Sequence, residues 1–321
     1  MAEVSDATLT ELRGVCRMTG SGVALPKSPL YSFFLSVLPI LARTLFRIRY
    51  RGIHRVPKTG AVILAANHTS HIDPFTVICG VRRRTHYLAK DGHFDKWFTA
   101  IVMNTTGQIR TNRESGAADA LSSGSDVLEA GLAMGIFPEG TRSRRKEAPF
   151  LDPKGKTGVA RLAASHPDVP VFPITIMGAR DVMAPGDKII RFWKPVDVTF
   201  GESITWNQWI VHPEGGAQDE ESMRIIIDSN EDERRELMGV LYRQFTEQVI
   251  GTLAALGAPG KGAGILQELS RTGAPVPCRP ISTYYAASST RVLNAVTGQG
   301  QVRCRCLDIK CALTSRKDFQ P

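Results

Sequence analysis

Ala61-Val62-Ile63-Leu64-Ala65-Ala66-Asn67-His68-Thr69-Ser70-His71-Ile72-Asp73-Pro74 is the stretch that decides the fold. Its first six residues form an apolar run with the length and composition of a buried strand, closed downstream by polar and turn-forming residues. Asp before Pro marks a helix start: the carboxylate accepts from free backbone N–H groups, and proline already holds a helical φ. A histidine therefore emerges where a sheet ends. On one continuous helix, residues five apart diverge by about 140°, so His68 and Asp73 can meet only because the chain turns between them. A carboxylate bonded to one imidazole nitrogen fixes the tautomer and leaves the other nitrogen as a base. Taken alone, the spacing reads more simply as an N-capping Asp beside a surface His, and the rest of the chain has to decide between the two.

Outward from this unit the chain alternates. Arg47-Ile48-Arg49-Tyr50 is strand-like and precedes a turn at Pro57-Lys58-Thr59-Gly60. Phe75-Thr76-Val77-Ile78 continues the helix, and Thr85-His86-Tyr87-Leu88-Ala89-Lys90 reads as a strand broken by Asp91-Gly92. Residues 97–103 read as helical, Gly107 to Arg113 as a short edge segment ending in a cation, and 117–133 as a helix that Gly124 weakens. Met134-Gly135-Ile136-Phe137 is the next strand, followed by a helix over 158–164 and strands at 169–176 and 196–201. The last helix, 231–256, carries Leu237, Val240, Leu241, Phe245 and Val249 near one stripe. Strands interleaved with helices predict an α/β fold with a mostly parallel central sheet wrapped by helices.

The formal charge of +9 over 321 residues suggests nucleic acid until it is divided along the chain. Residues 1–56 carry +5 and residues 258–321 carry +6, which leaves −2 for the body. A basic nucleic-acid binder is thereby excluded for the body, and the two ends suit an anionic surface such as a membrane. Residues 30–42 hold no charge and are followed at once by Arg43, Arg47, Arg49, Arg51 and Arg55. Thirteen helical residues rise only about 20 Å, so this segment reads as an interfacial helix docked on anionic lipid or as a helix buried in the domain. Four segments follow: a loosely held stretch at 1–26, a membrane-interface helix and basic cluster at 27–51, the main domain at 52–257, and a poorly structured basic tail at 258–321.

Six scattered cysteines and the lack of a signal-peptide pattern place the chain in the cytoplasm. Cys304, Cys306 and Cys311 lack a fourth ligand at any familiar spacing, so no metal site is assigned. Gly155-Lys156-Thr157 resembles the end of a P-loop, but Phe150 stands where its first glycine belongs, and no G-x-S-x-G occurs. What remains is a His/Asp pair without its own nucleophile, a cation at Arg113, and the polar loop Pro138-Glu139-Gly140-Thr141-Arg142-Ser143 at a strand end. A base without a nucleophile implies that the substrate supplies one. Arginine suits bidentate binding of phosphate. Together with an interfacial segment, these residues point to a hydroxyl-bearing, phosphorylated lipid.

Asn67-His68-x4-Asp73, Gly107-x-Ile109-x3-Arg113, Phe137-Pro138-Glu139-Gly140-Thr141-Arg142-Ser143 and Val169-Pro170-Val171-x-Pro173-Ile174 resemble, in order, the four motif blocks of the glycerolipid acyltransferases of the 1-acylglycerol-3-phosphate acyltransferase type. Lys90 and Val198-Thr199-Phe200-Gly201-Glu202 resemble further family positions, and the likeness spans about residues 45 to 255. The resemblance implies acyl transfer in phospholipid synthesis, from acyl-CoA or acyl carrier protein to a lysophospholipid hydroxyl, with glycerol 3-phosphate or another lysolipid as the alternative acceptor and a catalytically silent membrane-docking homologue as the alternative role. It implies no cofactor beyond the acyl donor, no nucleic-acid partner, and a place on the cytoplasmic face of the cell membrane, peripheral or monotopic. By the same resemblance His68 is the base, Asp73 orients it, and Arg113, Glu139, Gly140, Thr141 and Arg142 hold the acceptor phosphate. Asn67, Lys90, Gly107, Pro138 and Pro173 take supporting or donor-binding places, while His71, His86 and His93 read as bystanders. Arg110-Thr111-Asn112 stands where lysophosphatidic acid enzymes often carry an aromatic or aliphatic residue and an Asp.

Overall fold

A computed structural model describes residues 4–25, 31–44, 47–90, 103, 107–111, 116–142, 155–187 and 189–258. In chain order the elements are α1 (Asp6–Cys16), α2 (Tyr31–Thr44), β1 (Ile48–Arg51), β2 (Val62–Ala66), α3 (Asp73–Val81), β3 (Thr85–Lys90), β4 (Ile109–Thr111), α4 (Gly116–Glu129), β5 (Ala133–Ile136), α5 (Gly158–Ser165), β6 (Val171–Met177), α6 (Ala179–Val182), β7 (Val196–Phe200), α7 (Trp206–Val211), α8 (Glu220–Asp228) and α9 (Glu231–Ala255). Among the described residues these strands make one sheet in the order β1-β7-β6-β2-β5-β3-β4. Every adjacent pair is parallel except β6 with β7. The α/β class and the mostly parallel sheet expected from the sequence are therefore present.

The apolar run 62–66 lies at the centre, bonded to β6 on one side and β5 on the other, with all five residues buried. A strand covered on both faces reads as a continuous apolar run, because alternate side chains enter opposite layers. Ile63 and Ala65 pack into a core shared with α1, α4, α5, α7, α8 and α9. Val62, Leu64 and Ala66 pack into the opposite core, shared with α2, α3 and α6. Two helical layers thus clamp β2, and its C-terminal end is held in place from both sides.

The N-terminal segment departs from expectation. Residues 6–16 form α1 rather than a loosely held stretch, with Leu12 and Cys16 buried. The Ser5 side chain caps the helix by accepting from the Thr8 amide, and Glu220 at the start of α8 accepts from the Ser5 amide at 2.9 Å. Polar residues and Gly14 dilute the apolar period in sequence, and the partner surface lies more than 200 residues away. The sheet likewise begins ahead of residue 52, since β1 pairs with β7 from Ile48 onward and Arg49 forms a bidentate ion pair with Asp197. Helices α7 and α8 also escaped the sequence reading.

Helix α2 has a buried side and an exposed apolar side. Tyr31 and Ala42 are buried, and the Tyr31 hydroxyl donates to the Thr85 carbonyl at 3.0 Å. Phe33, Val37, Ile40 and Leu41 are exposed on the same helix. Among the described residues no helix is long and apolar enough to cross a membrane. The helix expected at 97–103 and the tail beyond residue 258 lie outside the described residues, Met103 excepted.

Candidate active site

Because β2 and β5 are parallel neighbours, the chain leaves both at the same edge of the sheet. Ligands of open α/β sheets bind outside such carboxyl ends. Here the ends deliver Asn67-His68 and Phe137-Pro138-Glu139 side by side. Asn67 is buried and locks the end of β2 to β6: its Nδ2 donates to the Ile176 carbonyl at 2.9 Å and its Oδ1 accepts from the Ile176 amide at 2.7 Å. An amide side chain is the residue type that satisfies a donor and an acceptor on one strand at once.

The turn then brings His68 and Asp73 together, Nδ1 to Oδ2 at 3.0 Å. Asp73 is fully buried, and the same oxygen accepts from the Thr69 and Ser70 amides at 2.7 Å each. The carboxylate thus caps the turn that precedes its helix rather than the amides of the helix itself. Since a carboxylate only accepts, Nδ1 carries the proton and Nε2 keeps its lone pair. Burial pushes the His68 pKa below the ordinary imidazole value; the bond and charge of Asp73 oppose that shift, and the Arg142 charge adds to it. His68 is therefore neutral at pH 7, the state that a general base requires.

The imidazole rests on an aromatic column. Its ring stacks on Phe137 at 3.9 Å between centroids and 10° between planes, and Phe137 stacks in turn on buried Tyr87 at 5.1 Å. Gly135 makes room for the Tyr87 ring, which a Cβ there would strike. These two aromatic residues went unassigned in the sequence reading, although Phe137 opens the third motif block; adjacency of β3, β5 and β2 creates the column.

Glu139, grouped in sequence with phosphate-binding residues, is buried, and its Oε1 accepts from the His68 backbone amide at 2.6 Å. A carboxylate repels phosphate, so this side chain suits holding the His68 backbone and not gripping an anion. Gly140 turns the loop at φ +71°, with its amide donating to the Phe137 carbonyl at 2.9 Å. Thr141 is exposed. Arg142 lies against His71, its Nη1 2.9 Å from Nε2 of that ring, so a histidine read as a bystander borders the site.

Supporting positions are accounted for unevenly. Pro138 is buried and its carbonyl accepts from the Lys156 amide at 2.7 Å, so the P-loop look-alike 155–157 serves as a brace for the 137–142 loop. Pro173 pairs with Ala65 and accepts from the Gly201 amide at 2.8 Å. Gly107 turns at φ +61° and its carbonyl accepts from His86 Nδ1 at 2.6 Å. Of Lys90 the backbone is described, in register with Thr111. Arg113 and His93 lie outside the described residues. Among the described residues no group of three or more His, Cys, Asp or Glu could hold a metal ion.

What this arrangement can do chemically is remove a proton from an incoming group. The Ser70 hydroxyl, within the turn, donates to the Met183 carbonyl at 2.5 Å. That bond ties the turn to the segment after α6.

Residues 47–177 match the family model described as Acyltransferase. The 1-acyl-sn-glycerol-3-phosphate acyltransferase of Borreliella burgdorferi is 36% identical over 100 residues, covering 30% of this chain and 40% of that protein. The chloroplastic 1-acyl-sn-glycerol-3-phosphate acyltransferase of Brassica napus is 26% identical over 147 residues, covering 44% of this chain and 41% of that protein. The alpha 1-acyl-sn-glycerol-3-phosphate acyltransferase of Mus musculus is 27% identical over 188 residues, covering 56% and 61%. The chain thus spans about half the length of the curated relatives it matches. A crystal structure of the 1-acyl-sn-glycerophosphate acyltransferase from Thermotoga maritima has a TM-score of 0.44 and 18% identity, covering 71% of this chain and 85% of that chain.

Proposed function

We propose that this protein, whose residues 47–177 match the acyltransferase family model, transfers a fatty acyl group from an acyl thioester, on CoA or acyl carrier protein, to the free hydroxyl of 1-acylglycerol 3-phosphate. The observation that carries the reading is the fully buried Asp73 bonded to His68 Nδ1 at the end of β2. His68 Nε2 takes the acceptor's hydroxyl proton as the oxygen attacks the thioester carbonyl. The C–O bond forms, the tetrahedral centre collapses, the C–S bond breaks, and the thiolate leaves with the proton from the imidazolium. Asp73 stabilises that imidazolium while it exists.

Arg142 and Arg113, with the backbone and hydroxyl of Gly140 and Thr141, bind the acceptor phosphate. Asn67, Gly107, Pro138 and Pro173 fix the strand ends, and Lys90 stands with them near the acyl donor. No cofactor takes part beyond the donor. The work is done on the cytoplasmic face of an anionic membrane, on which the protein sits peripherally or monotopically.

An acceptor panel tests the reading. Purified protein given acyl-CoA and, separately, 1-acylglycerol 3-phosphate, glycerol 3-phosphate and a lysophosphatidylcholine should acylate the first at least about tenfold faster than the others, since glycerol 3-phosphate lacks the acyl chain that holds the acceptor at the bilayer and the choline of the lysophosphatidylcholine masks the phosphate from arginine. Mass spectrometry of the lipid product reads the result. Preference for glycerol 3-phosphate, or no acylated product from any acceptor, would overturn it.

A further inference from the structure

Between α6 and β7 the chain makes an irregular excursion that sequence reading passed over. Ile189 is 68% exposed and Trp193 51%, with Ile190 and Phe192 exposed beside them. Phe192 and Trp193 hold each other edge to face at 5.3 Å. Arg191 and Lys194 are interleaved with these residues. Between positions 180 and 194 the sequence carries four Lys/Arg against two Asp.

This apolar cluster is held out on a built loop. The Arg191 amide donates to the Val182 carbonyl at 2.9 Å, its guanidinium pairs with Asp187 at 2.8 Å, and the Lys194 amide donates to the Arg191 carbonyl at 3.1 Å. The loop is also tied to the site, because the Met183 carbonyl accepts the Ser70 hydroxyl proton within the His68–Asp73 turn. It leaves the helical layer that α2 and α3 share, where Ala179 and Val182 pack in the same core as Ala42 and Val77. The exposed apolar face of α2 belongs to that layer too.

We propose that residues 189–194 are a second membrane-docking element that inserts into the headgroup region of an anionic bilayer and works together with α2. Aromatic rings with cations between them are the composition of an interfacial anchor: rings enter at headgroup depth while Arg and Lys meet lipid phosphates. Two anchors in one layer hold the domain by two points, and the Met183–Ser70 bond sets the site's turn close to the bilayer that carries the acceptor. The role given to the lipid acceptor rests on the acyltransferase reading; the docking itself is read without turnover.

The full chain is mixed with vesicles of phosphatidylcholine containing phosphatidylglycerol, and its binding is followed by co-sedimentation. The double variant Phe192→Ser, Trp193→Ser should bind about tenfold or more weakly, in line with the loss of two buried aromatic groups, with its thermal melting unchanged because both side chains are exposed. Trp193→Phe should retain binding. Lipids brominated in the upper acyl chain should quench the wild type more than Trp193→Phe, because Trp97, Trp206 and Trp209 are common to both proteins and Trp193 is the tryptophan in which they differ. Vesicle binding equal to wild type in the double variant, quenching equal in both proteins, or a solution mass that drops from dimer to monomer in the double variant would overturn the proposal, the last by assigning the patch to a second copy of the chain. Vesicle binding that depends on the loop in a protein that acylates nothing would leave docking standing and remove the acyltransferase reading alone.

Discussion

Asp73→Asn is expected to lower turnover by about 10³–10⁴-fold, the scale on which loss of an orienting carboxylate acts in His-based catalysis. Three donors converge on one Asp73 oxygen, the His68 Nδ1–H and the Thr69 and Ser70 amides. An asparagine that keeps its carbonyl there retains all three bonds but loses the charge that stabilises the imidazolium, and its NH₂ replaces a buried oxygen that has no hydrogen-bond partner. An asparagine turned the other way faces three donors with two more. Either orientation leaves a buried polar group unsatisfied, at a cost of about 1–3 kcal/mol in stability. Thiol release at saturating acceptor and a denaturant titration read the two losses separately. Turnover within tenfold of wild type would show that the carboxylate does not orient the base.

His68→Ala should separate chemistry from folding more cleanly. The backbone amide of residue 68 still donates to Glu139, and Asp73 still accepts from Thr69 and Ser70, so the turn survives. The stack on Phe137 is lost, worth about 0.5–1.5 kcal/mol. Loss of the base should reduce acyl transfer by about 10²–10⁴-fold. Turnover measured beside circular dichroism and a melting curve checks both parts, and a folded variant with wild-type turnover would remove His68 from the reaction.

The sequence carried the parts of the fold that depend on local pattern. The run 62–66 is apolar on both faces because helices cover both, and Asp73-Pro74 marks the start of α3, so the turn that unites His68 with Asp73 followed from spacing. What it did not carry depends on which strands become neighbours. Glu139 sits in a polar loop, and only the pairing of β5 with β2 shows its carboxylate under the His68 amide. The Tyr87–Phe137–His68 column needs β3, β5 and β2 in that order. Helix α1 needs the surface of α8, and the exposed cluster at 189–194 has no period for a pattern to detect.

That His68 activates a hydroxyl of the acceptor, with no nucleophile of the protein between donor and acceptor, is tested most directly by rapid mixing of the protein with acyl-CoA alone, followed by addition of 1-acylglycerol 3-phosphate. Direct transfer predicts no burst of free thiol and an unchanged protein mass in the first phase, then thiol and phosphatidate in equal amounts after the acceptor is added. A burst stoichiometric with protein, accompanied by a mass increase of one acyl group, would contradict it.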